Sequence, residues 1–208
     1  NNGTIINGAH RLASSLLLNI NVGTVSINSK DHAQDYTFFM NRGVPKYILD
    51  IAANEFIAHS KNIFVALLWP SAIGKNKKIH EIIGDVVYSK EIKLNKNGAH
   101  NLISQVYKGE EWLGSQENNY QGAHAKLIKC FDNPSPLTVI VFNSKSITDV
   151  KKAKEKIRNL FNLGKHSVHI TDHNHEAVAI SKLLFNDNAL HFINYASPNK
   201  YKNNYKKI

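Results

Sequence analysis

The chain is poor in the features that mark secreted and membrane proteins. It has one cysteine in 208 residues, which excludes an intramolecular disulfide, and no signal-peptide pattern opens it, so we expect a reducing, cytoplasmic location rather than secretion. No apolar run reaches the roughly 18 residues that a bilayer span needs. The sequence therefore predicts a protein without a membrane span.

Acidic residues are scarce beside basic ones. Sixteen Asp and Glu against 26 Lys and Arg give a formal net charge of +10. Such a surplus serves a protein that binds nucleic acid, because Lys and Arg release counterions from phosphates, but it also suits a solvated surface. Both interpretations stay open. Part of the surplus lies in segment 199–208, which has no apolar period and is predicted to be a flexible basic tail.

Apolar residues are plentiful enough for a packed core, at 42% of the chain. The apolar runs at 63–69 and 137–142 are typical of strands covered on both faces. Further strands are predicted at 4–6, 22–27, 167–170 and 189–194, and helices at 9–19, 45–59, 99–107, 122–131, 146–163 and 174–185, with a short helix and an extended segment between 76 and 94. This alternation predicts an α/β fold with a mixed, largely parallel sheet and helices on both faces.

The first motif lies where a predicted strand breaks at Gly8 and a helix begins. The free N–H groups and the positive end of that helix attract an anion. Gly8 allows close approach, Arg11 offers a planar fork to phosphate oxygens, and His10 can donate a hydrogen bond or a proton. A phosphate site made of Asn7, Gly8, Ala9, His10 and Arg11 is one interpretation, and a capped turn with a solvated arginine is the other.

The run Asn-Gly-Ala-His-Arg followed by Leu-Ala resembles the Gly-x-His-Arg signature of the ParB and sulfiredoxin-like superfamily, over residues 4–18. That superfamily includes partition-protein CTPases, sulfiredoxins and small-molecule kinases, whose turn holds nucleotide phosphates. The resemblance implies a phosphate cradle of Gly8, His10 and Arg11 and a cofactor of ATP or ADP with Mg²⁺. Asn7 stands where kinase-like members often have an aspartate. The resemblance also implies a ParB-like segment at 1–60 before an α/β domain at 61–198, and whether residues precede Asn1 stays open.

A histidine-rich segment at 166–176 is the second candidate site. Ligands gather at the carboxyl ends of strands in open α/β sheets, and this segment runs from a predicted strand into a helix. Asp172 and Glu176 are therefore candidate catalytic carboxylates, with His173 and His175 as substrate contacts. Asp172 as a plain helix cap beside surface imidazoles, and a transition-metal site, stay open as alternatives.

The segment 107–126 is the third candidate, since it mixes glycines, carboxylates, aromatic residues and a lysine with little regular pattern. Glu110 can act as a base on a sugar hydroxyl, Trp112 can stack on a ring, and Lys126 can meet a phosphate. The alternative is a tryptophan that fills the core beside solvated glutamates.

These motifs favour a nucleotide-dependent phosphotransferase, a kinase that acts on a hydroxyl of a sugar, glycan or other small acceptor. His10, Glu110, Asp172 and Glu176 are its candidate catalytic residues. One alternative is a ParB-like, nucleic-acid-associated nucleotide-binding module without kinase activity. Another is a glycan enzyme such as a glycosyltransferase. The expected partners are a nucleotide and a small-molecule or glycan acceptor, with nucleic acid as a further candidate.

Overall fold

The computed structural model describes residues 5, 7–27 and 34–196. The chain divides into two compact units, Asn1–Gly43 and Val44–Ile208. The division falls earlier than the expected boundary at residue 60, so the helix predicted at 45–59 belongs to the second unit. Of the strand predicted at 4–6 only Ile5 is described, and the predicted tail at 199–208 lies outside the described residues.

The described part of the first unit contains helices α1 (Ala9–Leu18) and α2 (Tyr36–Asn41). Helix α1 begins after Gly8, whose φ of 92° lies in the region that favours glycine, and ends at Asn19 in the left-handed conformation. The Asp35 side chain caps α2 by accepting a hydrogen bond from the Phe38 amide at 2.9 Å. The helix predicted at 9–19 is thus confirmed.

The strand predicted at 22–27 is wrong, because this segment has no regular secondary structure. Its β-branched residues suit a strand, but a strand needs a neighbour for its backbone groups. None of the described residues of this unit forms one, and Val25 is 88% exposed.

The second unit contains helices α3 to α9 and four strands. The helices are Lys46–His59, Asn76–Ile83, Lys96–Val106, Gln121–Cys130, Ile147–Phe161, Asn174–Leu184 and Asp187–Tyr195, and the strands β1 to β4 are Ile63–Leu68, Val86–Ile92, Leu137–Asn143 and Val168–Ile170. Two short 3-10 helices span Glu111–Leu113 and Gly164–His166. None of the helices in the described part of the chain has the length and apolar character needed to cross a bilayer.

The sheet has the order β2-β3-β1-β4, and all its paired strands are antiparallel. The prediction of a largely parallel sheet is therefore wrong. Helix α4 does connect two strands of the same direction, β1 and β2, and α7 connects β3 and β4. Strand β3 lies between β1 and β2, and β1 lies between β3 and β4, so no hydrogen-bonded pair is parallel. This is the split β-α-β arrangement of ferredoxin-like topology, with α5 and α6 inserted between β2 and β3.

Helices pack on both faces of this sheet. Helices α4 and α7 cover one face, in a cluster with Phe64, Ala66, Leu68, Ile79, Ile83, Ile140, Phe142, Val150, Ile157, Val168 and Ile170. Helix α8 packs against β1 on the opposite face and also contacts α3 and α9, while α5 contacts α6 and α9. The second face is the one on which the candidate site of this unit lies.

The strand predicted at 189–194 is also wrong, because this segment is helix α9. Asn186 accepts a hydrogen bond from the Ala189 amide at 3.0 Å, and Asp187 occupies the first turn, so the capping signals decide the local structure. Phe192 is 69% exposed, and Ile193 faces inward. The alternation of apolar residues in the sequence therefore does not correspond to alternating burial of the side chains.

Candidate functional site

The turn before α1 forms an open depression of about 370 Å³, which Ile5, Asn7, Gly8, Ala9, His10, Arg11 and Gln34 line. No side chain caps the helix, and the first bond of its backbone ladder runs from the Leu12 amide to the Gly8 carbonyl at 2.9 Å. The backbone N–H groups of the residues before Leu12 therefore donate no hydrogen bond within the helix. The Arg11 guanidinium folds back over Gly8, where a Cβ added to the glycine would lie 3.5 Å from Arg11 Nη2.

All five predicted cofactor-binding residues, 7–11, thus lie around one depression, with His10 and Arg11 both exposed. The one carboxylate among the described residues of this unit is Asp35, which caps α2 and accepts a hydrogen bond from Thr37 Oγ1 at 2.6 Å. Those hydrogen bonds lower its pKa. The depression therefore offers hydrogen-bond donors and a positive charge to an anion, and the described part of the unit adds no free carboxylate to act as a base.

A second candidate site lies at the edge strand β4 of the second unit. Val168 and Ile170 enter the core on the face of α4 and α7, so His169 between them projects to the opposite face. There His169 Nε2 lies 2.8 Å from Glu176 Oε1, in the first turn of α8. The other Glu176 oxygen accepts a hydrogen bond from the Asp172 amide at 2.8 Å.

The protonation of this pair follows from its hydrogen bonds. Burial by itself raises the pKa of Glu176, but the hydrogen bonds from His169 and the Asp172 amide outweigh it and hold the pKa below its ordinary value. An ionised carboxylate only accepts hydrogen bonds, so Nε2 is the protonated nitrogen of His169. Nδ1 of His169 is left as the nitrogen that can accept a proton.

The Tyr107 ring contacts His169 and also contacts Trp112 and Lys126. The Tyr107 ring is centred 5.2 Å from the imidazole and 5.1 Å from the Trp112 ring. Lys126 Nζ lies 4.7 Å from the Tyr107 centroid and 5.8 Å from that of Trp112, and donates a hydrogen bond to the Lys165 carbonyl at 3.0 Å. Burial raises the pKa of Tyr107 and lowers that of Lys126. The Tyr107 phenol thus stays protonated at neutral pH.

Arg158 on α7 adds a second cation to this region. Its Nη1 donates to Glu155 Oε1, 2.6 Å away, and its Nε is buried without a hydrogen-bond partner. Burial is the main cause of the lowered pKa of Lys126, and the positive charge of Arg158 lowers that pKa further. No carboxylate among the described residues forms an ion pair with Lys126, whereas Lys154 nearby on α7 is paired with Asp172 at 3.0 Å. Arg158 has Glu155 as its counter-ion, so the positive charge left unpaired among the described residues of the site is that of Lys126.

The remaining predicted residues lie around this centre without joining the pair. Asp172 does not cap α8, because His173 holds the cap position. The rings of His173 and His175 are exposed and stack on each other 5.3 Å apart. Glu110 is exposed, and its charge is one of the lesser causes that raise the pKa of Tyr107. In the part of the chain that the structure describes, no three His, Cys, Asp or Glu side chains are close enough together to hold a metal ion.

Cys130 lies near the same residues but is a poor nucleophile. Its Sγ is 3.8 Å from His166 Nδ1, and the side chain is fully buried. Burial raises the pKa of the Cys130 thiol to about 11, and burial together with the charges of Lys126 and Lys129 lowers the pKa of His166. Both groups therefore stay neutral near pH 7.

Sequence reasoning thus named Glu176, Lys126 and Trp112, which the structure brings into one region, and missed Tyr107, Arg158 and His169 as site residues. For His169 a signal was present, since an imidazole between two apolar residues of a strand must face away from them. For Arg158 no signal existed, because its helix packs mainly on the other face of the sheet. Comparison of the chain with protein-family models, with curated proteins and with solved structures found no match.

Proposed function

We propose that this chain is a nucleotide-dependent phosphotransferase that moves a phosphoryl group to a hydroxyl of a sugar, glycan or other small acceptor. The observation that carries the proposal is the hydrogen bond between His169 and Glu176. It holds Nε2 protonated and leaves Nδ1 free to accept a proton, as a general base requires. Glu176 also stabilises the imidazolium that forms when His169 takes up that proton.

In the proposed reaction the acceptor oxygen attacks the terminal phosphorus atom of the nucleotide, and the bond from that phosphorus to the leaving oxygen breaks. The hydroxyl proton passes to His169 Nδ1, and the nucleotide leaves one phosphate shorter. Glu176, rather than Asp172, is the carboxylate of this step, because Asp172 is paired with Lys154.

A separate binding proposal concerns the first unit by itself, where the depression before α1 suits phosphate groups. Its uncapped helix start and the Arg11 guanidinium suit the phosphates of ATP or ADP. We assign His10 to hydrogen bonding with a phosphate, since it has no carboxylate partner among the described residues. Mg²⁺ fits if it arrives on the phosphates, because it commonly binds through them and water, and it would neutralise their charge.

The test is nucleotide conversion by the full chain with ATP or ADP, Mg²⁺ and a panel of sugars and polyols. His169→Gln and Glu176→Gln should each lower kcat by about 100-fold or more, the usual contribution of a general base, and leave nucleotide affinity unchanged. Glu55→Gln is the matched control, since it removes the carboxylate of the exposed Glu55–His59 pair. The proposal fails if no acceptor stimulates turnover, or if Glu176→Gln is as active as the unmodified chain.

A nucleic-acid-associated module is the second candidate, favoured by the net charge of +10 and by the exposed Lys151, Lys152 and Lys156 of α7. It predicts DNA or RNA affinity with a steep dependence on salt and no acceptor-dependent turnover. A glycosyltransferase, by contrast, would bind a nucleotide sugar even after Arg11→Ala.

A further inference from the structure

We propose that the acceptor is a small phosphorylated sugar, whose phosphate group is bound by Lys126 and Arg158 beside the His169–Glu176 pair. The inference rests on the proposed phosphotransferase function for the reaction that follows binding. The binding site itself rests on separate contacts, those of Lys126, Arg158 and Trp112, and it can be tested without nucleotide.

The first support is the environment of Lys126. The residue is only 7% exposed, yet its ammonium group, which can donate three hydrogen bonds, has a single acceptor, the Lys165 carbonyl. The Tyr107 and Trp112 rings lie beside the ammonium group, which is 4.7 and 5.8 Å from their centroids. A buried charge is costly unless an opposite charge accompanies it, and no described carboxylate forms an ion pair with this one. The missing counter-ion is supplied by a ligand.

The second support is Arg158, whose charge lies near enough to Lys126 to disfavour its protonation. Glu155 engages one end of the guanidinium, while Nε has no acceptor. Helix α7, which carries Arg158, packs against the short helix 164–166, whose Lys165 carbonyl accepts the hydrogen bond of Lys126. Glu155 balances the charge of Arg158, so the anion pairs with Lys126 and accepts a hydrogen bond from Arg158 Nε. A phosphate monoester carries about −1.5 to −2 charges at pH 7 and has three oxygens, one more than a carboxylate, to reach both donors.

The third support is Trp112, which is 45% exposed although its ring contacts Tyr107. An exposed indole beside a cation offers a flat surface for the apolar face of a sugar ring. Tyr107 contacts both Trp112 and His169. Tyr107 therefore connects the proposed sugar-binding surface of Trp112 with the imidazole of His169.

The test measures binding of glucose 6-phosphate, ribose 5-phosphate and inorganic phosphate to the full chain without nucleotide, by calorimetry and by tryptophan fluorescence. Glucose and glucuronate are the neutral and carboxylate probes. We expect the phosphorylated sugars to bind and glucose not to bind. Lys126→Met and Arg158→Gln should each weaken binding by about tenfold or more, as the loss of a charge-assisted hydrogen bond predicts.

Two matched variants control for net charge. Lys129→Met removes an exposed lysine of the same helix α6, and Lys156→Met removes one of α7, and neither should change the affinity. If Lys126 only ties α6 to the Lys165 carbonyl, Lys126→Met lowers the melting temperature and leaves the affinity intact, and the inference is overturned. Absence of binding to the unmodified chain overturns it too, as does glucuronate binding as tight as that of glucose 6-phosphate.

The outcomes for the two proposals are separable. Lys126-dependent binding of sugar phosphates without turnover of ATP or ADP would refute the phosphotransferase and leave the binding site standing. Turnover with neutral acceptors alone, unaffected by Lys126→Met, would refute the binding site and leave the phosphotransferase standing.

Discussion

His169 and Glu176 are seven residues apart and belong to different elements, yet His169 Nε2 and Glu176 Oε1 are 2.8 Å apart. The connection between β4 and α8 folds the first turn of the helix back over the strand, so that the carboxylate reaches both the imidazole and the Asp172 amide. The Glu176 carboxylate therefore fixes the His169 ring of β4 and the start of α8 in one arrangement.

The stability of the protein should depend on Glu176 in a pH-dependent way. Its pKa is lowered in the folded chain from an ordinary value of 4.5, so its contribution is complete above that pH and is lost as the pH falls through the folded value. Glu176→Gln should lower the free energy of unfolding by about 1.5 kcal/mol at neutral pH, as expected for hydrogen bonds to a charged group.

Urea unfolding across a pH series measures this effect. The difference between the two chains should be constant near neutral pH and shrink in acid below 4.5. A difference that grows in acid would mean that Glu176 is protonated in the folded chain.

The tautomer of His169 is a second observable. With Glu176 ionised, ¹⁵N NMR of the imidazole should report a proton on Nε2 and none on Nδ1 at a pH at which the ring is neutral. Glu176→Gln should abolish that preference, because an amide can donate as well as accept. Glu55→Gln, in the exposed pair with His59, should leave the His169 signals unchanged. A proton on Nδ1 in the unmodified chain would contradict the assignment of Nδ1 as the base.

Arg11 should control nucleotide affinity. Its guanidinium lies over Gly8 at the edge of the depression, so Arg11→Ala should weaken ATP or ADP binding by about tenfold, the effect of one charge-assisted hydrogen bond. Arg42→Ala is a matched control in the same unit, since that guanidinium lies 4.3 Å from the Phe38 centroid. Equal affinities of the two variants in a calorimetric titration would contradict the assignment of the depression as a nucleotide-binding site.

Cys130 should resist thiol reagents in the folded protein. The side chain is fully buried, and burial raises its pKa to about 11, so the thiolate that reacts is nearly absent at pH 8. Absorbance with an aromatic disulfide reagent should develop slowly in native buffer and at once in strong denaturant. Fast reaction without denaturant would show that α6 opens readily.

Gly122 should fix the position of Trp112. A Cβ at Gly122 would overlap the Trp112 carbonyl oxygen and lie 2.9 Å from Leu113 Cα, so Gly122→Ala forces the short helix 111–113 away from α6. We expect a lower melting temperature and a shift of tryptophan emission toward that of a solvent-exposed indole. Gln121→Ala, at the exposed neighbouring position, should change neither. An unchanged emission spectrum in Gly122→Ala would show that Trp112 is not held by this contact.

Local patterns predicted most of the elements of the second unit. The run predicted as a strand at 63–69 is β1, and the helix predicted at 146–163 is α7, where Ser146 caps the helix by accepting from the Asp149 amide at 3.2 Å. Segment 189–194 was misread because alternation over a few residues also occurs in a short amphipathic helix, and the capping signal at Asn186 carried the information. Segment 22–27 was misread because strand propensity depends on having a partner strand.

The direction of strand pairing and the composition of the site were beyond such patterns. The sequence of the helix between β1 and β2 does not reveal whether those strands pair directly or are separated by β3. Likewise Glu176, Lys126 and Trp112 could be named as polar or aromatic residues in loops and helix starts, while their grouping with Tyr107 and Arg158 required the packing of α5, α6 and α7 around β4.

By itself, the sequence determined where helices and strands begin and end over most of the second unit and which segment presents helix-start amides beside Arg11, because capping, glycine and apolar periodicity act within a few residues. Only the tertiary structure decided that the sheet is antiparallel, that Tyr107 meets His169, and that Lys126 is buried without a described counter-ion. Those facts depend on contacts between segments far apart in the chain, whose energies are set by how whole faces pack.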